Sequence, residues 1–153
     1  MTAELTKVVY ACKVTVRGGR AGHATSADGK LDIDLSPPTD KAGTGTNPEQ
    51  LFAAGYGACF HSALMAEARG AGVDLADSTI VAHVSLGPRA QGGFGLAVTL
   101  DLEAPAIDPL KARELLHAAH QQCPYSNAIR GNVGVKFLLG GEPLPPAAAR
   151  PTR

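Results

Sequence analysis

The stretch Asn47 to Gly70, NPEQLFAAGYGACFHSALMAEARG, limits the folds open to this chain more than any other. Asn47 suits an N-cap and Pro48 the first helical position, so a helix is predicted to start there. Thr46 with Glu49 also fits a capping box, which leaves two adjacent starts open. Gly70 or Gly72 offers a left-handed termination. Leu51, Phe52, Ala53, Ala54, Phe60 and Leu64 spread apolar surface nearly all round, which predicts a central helix buried on most sides.

The other elements follow from alternation and turn chemistry. Phe94, Leu96, Val98, Leu100 and Leu102 alternate with Gly95, Ala97, Thr99, Asp101 and Glu103, the clearest strand in the chain. Ile80–Leu86 reads as its partner across the turn GPRAQGG. Thr6–Arg17 places Val8, Tyr10, Cys12, Val14 and Val16 on one face, which predicts a half-buried strand with Cys12 as a small core residue. Leu31, Ile33 and Leu35 alternate with Asp32 and Asp34 after an Asp28-Gly29 turn. Ser36–Thr46 is a loop by its Pro and Gly content. Asp108-Pro109 caps a second helix ending near Gln122. Pro124 breaks it at Cys123, a short helical turn runs on to Arg130, and Val133–Leu139 is a last strand. The order β-β-α-β-β-α-(α)-β, with short turns between strands, gives an α+β class with antiparallel sheet. Residues 1–140 read as a single domain and residues 141–153 as a disordered tail.

Composition excludes several functions. A chain of 153 residues, 44% apolar, can bury a real core. Its formal net charge is +0, and no basic run is present to track a phosphate backbone, so no nucleic-acid partner is expected. No apolar segment approaches the ~20 residues of a membrane span. The start lacks the basic and apolar regions of a secretory signal, so the expected location is cytoplasmic. The cysteines, Cys12, Cys59 and Cys123, are odd in number and far apart, with no CxxC, so neither a zinc site nor a thioredoxin motif is expected. What remains is buried structural thiols or a reactive pair.

On its own helix Cys59 has Gly55, Tyr56, Ser62 and Ala63 as neighbours. Gly55 and Gly57 each cost a helix about 1 kcal/mol against alanine, and Gly55 can recover this if another element approaches closely there. A buried thiol in this setting is inert unless a cation lowers its pKa, and Cys59 is too far from the helix start for the dipole to help. Packing and chemistry both stay open. Glu49 lies roughly 280° round the helix from Cys59, so contact requires a third group. Arg20 lies in a Gly-rich connection. Cys123 continues the apolar face of the second helix and points inward at a helix break, where a thiol moves more easily.

Three stretches, GGRAGHATSADGKLDIDLSPP, GTNPEQLFAAGYGACFHSALMAEARGAGV and CPYSNAIRGNV, together resemble the organic hydroperoxide resistance (Ohr) branch of the OsmC/Ohr superfamily, from about Val9 to Phe137. The resemblance implies an intertwined homodimer with antiparallel sheets round central helices, and a cysteine-based peroxidase. Cys59 falls on the peroxidatic cysteine and Cys123 on the resolving cysteine. Arg20 falls on the arginine beside the thiolate and Glu49 on the glutamate that holds it. No bound cofactor or metal is implied. The implied reductant is an external dihydrolipoyl dithiol on a lipoylated protein, recharged by lipoamide dehydrogenase. Phe52 and Phe60 are expected to line the site for alkyl and fatty-acid hydroperoxides. Other readings are an OsmC-like peroxidase of broader specificity, a non-catalytic redox-responsive protein, or a cysteine hydrolase using His61, His83, His117 or His120.

Overall fold

A computed structural model describes residues 4–147, which fall into two compact units divided between Pro48 and Glu49. The class is α+β, with two sheets.

The first unit holds a three-stranded antiparallel sheet in the order β1 (Val14–Arg17), β2 (His23–Ser26), β3 (Asp32–Asp34). β1 and β2 are joined by a 3-10 turn, Gly19–Ala21. Asp28-Gly29 turns β2 into β3 as expected. Gly29 sits at φ +73, and the Asp28 carboxylate accepts from the Ser26 hydroxyl and the Lys30 amide. β2 was not foreseen, because its sequence HATS is too short and polar to show alternation.

The long first strand is a correction. Only Val14–Arg17 pairs, and Cys12 is exposed rather than in the core. Val8, Tyr10, Val14 and Val16 are exposed with it, Tyr10 by 77%. Alternation marks which residues can share a face, but a strand also needs a neighbour. Residues 4–12 find none in this unit.

The second unit opens with α1 (Pro48–Gly70). It ends as anticipated: Gly72 is left-handed at φ +69, while the Val73 amide donates to the Ala68 carbonyl and the Gly72 amide to that of Arg69. Burial round α1 differs from the expectation. Tyr56, Phe60, Leu64 and Ala68, four residues apart, form one buried stripe. Ala54, Ala58, Ser62 and Ala66 form an exposed one. The sheet covers one side of the helix, and the apolar residues elsewhere on it stay partly open.

β4 (Thr79–Pro88) and β5 (Phe94–Glu103) make a long antiparallel hairpin. α2 (Pro109–Gln122) and α3 (Pro124–Ile129) then cross to β6 (Val135–Leu139), which lies parallel to β5. This pair departs from the all-antiparallel expectation, since a parallel neighbour needs a crossover and the two helices supply it. β7 (Glu142–Pro143) pairs with β6 across two left-handed glycines, Gly140 and Gly141. Residues 142 and 143 are therefore strand and not tail; residues 148–153 of the expected tail lie outside the described residues. The Asp108 side chain caps α2 by accepting from the Lys111 amide at 2.9 Å. Val98, Leu100 and Leu102 of β5 meet the α1 stripe and Ala112, Leu115, Leu116 and Ala119 of α2 in one core. Cys123 continues that α2 face and is fully buried, as its spacing predicted.

Candidate active site

Two thiols far apart in sequence meet in the second unit. Cys59 lies mid-way along α1 beside the buried stripe and is itself only half-buried. Cys123 is the single residue between α2 and α3. Pro124 holds it in an extended conformation, φ −65 and ψ 123, while its amide still bonds the Ala119 carbonyl at 2.9 Å and its carbonyl accepts from the Asn127 amide at 3.0 Å. This backbone turns the buried Cys123 Sγ towards α1, 3.6 Å from Cys59 Sγ, with the Cys123 thiol as donor. Both thiols are free.

The surroundings are aromatic. The hydroxyls of Tyr56 and Ser126, both fully buried, share a hydrogen bond of 2.7 Å that ties α1 to α3. Tyr125 stacks on Tyr56 at 5.7 Å and meets Phe52 edge-on at 6.0 Å. A Cβ on Gly55 would stand 2.6 Å from the Tyr125 hydroxyl oxygen, so this glycine admits the tyrosine against the helix. That is the close approach the glycine had suggested. Tyr125 and Ser126 were not singled out from sequence; the mid-helix Gly55 and the residues after Cys123-Pro124 were the available signals. Phe60, expected beside a substrate, is instead a core ring. It is fully buried and stacked on Phe137 at 5.5 Å, with no surface to offer. Phe52, in contact with Tyr56 and Tyr125, is only partly buried.

Burial pushes the Cys59 thiol up from its ordinary value, and the Cys123 thiol adds to this. The Tyr125 amide, which donates to the Cys59 sulfur, acts the other way. Burial also raises the Tyr56 phenol, against the opposing effect of its hydrogen bond with Ser126.

The histidines serve other contacts. His61 Nε2 donates to Ser78 Oγ at 3.0 Å, whose own proton goes to the Leu75 carbonyl. His117 and His120 lie edge-on to Phe137, and burial lowers the pKa of both. His83 is exposed. Arg20 belongs to the 3-10 turn of the first unit, set between left-handed Gly18 and Gly19 and the residue Gly22. Glu49 stands in the first turn of α1, half-buried.

The profile of the OsmC-like proteins matches residues 38–137. The chain is 52% identical over 134 residues to the organic hydroperoxide resistance protein OhrB of Bacillus subtilis, covering 86% of this chain and 98% of that one. It is 45% identical over 137 residues to an organic hydroperoxide resistance protein of Xanthomonas axonopodis pv. citri, covering 87% and 96%. The crystal structure of the Bacillus subtilis protein superposes with a TM-score of 0.81 over 86% of this chain and 99% of that one. An organic hydroperoxide resistance protein from Legionella pneumophila, 43% identical, superposes with a TM-score of 0.80 over 87% and 98%. The chain thus belongs to the OsmC-like family and, within it, to the organic hydroperoxide resistance proteins.

Proposed function

We propose that the chain detoxifies peroxides as a cysteine-based peroxidase, reducing organic hydroperoxides to alcohols in the cytoplasm. The observation that carries this reading is the approach of Cys59 and Cys123 to 3.6 Å as free thiols, one partly open and the other buried. A disulfide has an S–S length of about 2.05 Å, so the two sulfurs are in non-bonded contact and a movement of about 1.5 Å would join them.

The chemistry balances in three steps. The Cys59 thiolate attacks the outer oxygen of ROOH; the O–O bond breaks, the alkoxide takes a proton and leaves as ROH, and Cys59 is oxidised to a sulfenic acid. The Cys123 sulfur displaces the sulfenic hydroxyl as water, giving the Cys59–Cys123 disulfide and protecting Cys59 from further oxidation. An external dithiol of the dihydrolipoyl type, carried on a lipoylated protein and recharged by lipoamide dehydrogenase, then reduces the disulfide by exchange and is itself oxidised. No resident cofactor takes part.

The raised Cys59 thiol needs a cation, and Arg20 is assigned that role because a guanidinium stays charged. Glu49 would orient Arg20 through charge-assisted hydrogen bonds. Phe52 with Tyr125 offers apolar surface for an alkyl group. The working form is assigned as a homodimer. The exposed small-residue stripe on α1 and the exposed apolar residues near the start of the first unit support that assignment.

The test is a thiol map. The reduced protein receives one equivalent of tert-butyl hydroperoxide, is quenched and digested. The expected product is a Cys59–Cys123 linkage with Cys12 free. Cys59→Ser should consume no peroxide, and Cys123→Ser should be oxidised about once and then stall. Survival of all three thiols with the peroxide unconsumed sinks the reading.

A further inference from the structure

The turn that carries Arg20 is held at its far end by an unusual set of bonds. β1 leaves the sheet at Arg17 and β2 re-enters it at His23, so His23 closes the hairpin directly opposite Arg17. On its other side His23 stands opposite Asp34 of β3. Its ring reaches two carboxylates of that strand: Nδ1 lies 2.7 Å from Asp34 Oδ1, and Nε2 lies 2.6 Å from Asp32 Oδ1. Ionised carboxylates only accept hydrogen bonds. Both ring nitrogens must therefore donate, and only the doubly protonated imidazolium can do that.

The register places the other groups on this face. Arg17 faces His23 from β1, and Asp32 and Asp34 face it from β3; Thr15 and Thr25 on the same face are uncharged. The hydrogen bond that His23 donates to Asp34, then the one to Asp32, pushes the His23 pKa up from its ordinary value of 6.5 against the opposing effect of burial. Directly before His23, Gly22 fixes the turn to the same strand: its carbonyl accepts from the Leu35 amide at 2.8 Å, and a Cβ there would collide with the Arg17 carbonyl oxygen.

We propose that His23 is a positioning residue, a proton-operated clasp that ties the Arg20 turn to β3 through Asp34 and Asp32 and gives up one of those ties when it becomes neutral. A neutral imidazole has one N–H and keeps one carboxylate at most. The sign follows from the raised value. The double tie is fully present below the ordinary histidine range and is lost as pH rises through the raised pKa. Order in residues 18–22 falls with it. The consequence for catalysis, a loss of Arg20 support at alkaline pH, rests on the role given to Arg20 above.

The clasp is tested without reference to catalysis. The His23 ring is titrated by NMR in the full-length reduced protein, and amide-exchange protection of residues 18–22, corrected for intrinsic rates, is followed over the same pH range. The expected result is a His23 pKa above 6.5, a downward move in Asp34→Asn, and a several-fold fall in protection as the ring deprotonates. In His23→Gln, protection should be low throughout and should not change with pH. A ring that titrates at or below the ordinary value overturns the proposal, as does wild-type protection that follows the same course as in His23→Gln. Peroxide consumption against pH is measured alongside. Activity whose alkaline limb is unmoved in His23→Gln overturns the link to Arg20. A complete lack of Cys59-dependent consumption overturns the peroxidase reading and leaves titration and exchange to decide the clasp.

Discussion

The Tyr56–Ser126 hydrogen bond ties the two helices that present the thiols, and its removal has a calculable cost. It joins α1 three residues before Cys59 to α3 three residues after Cys123, at 2.7 Å, with both side chains fully buried. Tyr56→Phe removes one hydroxyl and leaves the other buried without this partner, which costs about 1–3 kcal/mol. Ser126→Ala does the same from the other side. The double variant strands neither group, so its loss should fall short of the sum of the single losses by about 1 kcal/mol. At roughly 2–4 °C per kcal/mol for a chain of this size, each single variant should melt several degrees lower. The assay is denaturant unfolding of the four proteins under reducing conditions. Rapid-quench measurement of Cys59–Cys123 closure after one oxidation accompanies it, and the sign of its change in the single variants shows whether the bond mainly aligns the sulfurs or mainly restrains α3. Losses that add to within about 0.5 kcal/mol would show that the two hydroxyls merely lie close together.

Gly55→Ala should leave stability nearly unchanged, because a helix gain of about 1 kcal/mol is offset by loss of the Tyr125–Tyr56 stack, worth about 0.5–1.5 kcal/mol. The displaced Tyr125 should nevertheless alter the alkylation rate of Cys59, since its amide bonds that sulfur; an unchanged rate would separate Tyr125 from the site. Iodoacetamide labelling of Cys59 should climb with pH as the thiolate forms, and Arg20→Ala should move the midpoint to higher pH because only the Tyr125 amide then opposes burial. Identical midpoints would remove Arg20 from the electrostatic account.

What the sequence made legible was local. Asn47-Pro48, Asp108-Pro109 and Cys123-Pro124 mark helix boundaries because capping and proline geometry act within a few residues. The β4–β5 hairpin was equally plain, because apolar residues at every second position from Phe94 to Leu102 line one face of a strand and scatter round a helix. Pairing partners were not legible. Residues 6–12 alternate as well as a strand does yet have no ladder in this unit, and HATS forms one without alternating. Round α1 the residue types were too uniformly apolar to say which stripe meets the sheet, so Phe60 was placed beside a substrate when it lies against Phe137. For the site, Cys59 and Cys123 were readable as thiols of interest, and the family resemblance supplied their pairing. The Tyr125 and Ser126 contacts come only from the α2–α3 crossover.

Closing the pair from 3.6 Å to a bond of about 2.05 Å requires one sulfur to travel about 1.5 Å. Cys59 is poorly placed to move. It sits eleven residues from either end of a 23-residue helix, anchored by the Tyr56, Phe60 and Leu64 stripe. Cys123 is the one non-helical residue between two helices, already in an extended conformation, and α3 beyond it is only six residues long and ends before left-handed Gly131. Short helices have little internal cooperativity, so the deformation falls on the α2–α3 junction. The Tyr56–Ser126 bond then has two effects: it brings the sulfurs near each other and it resists the last movement of α3. Breaking it should slow closure only if alignment outweighs that resistance. The kinetic arm of the double-variant cycle measures this balance.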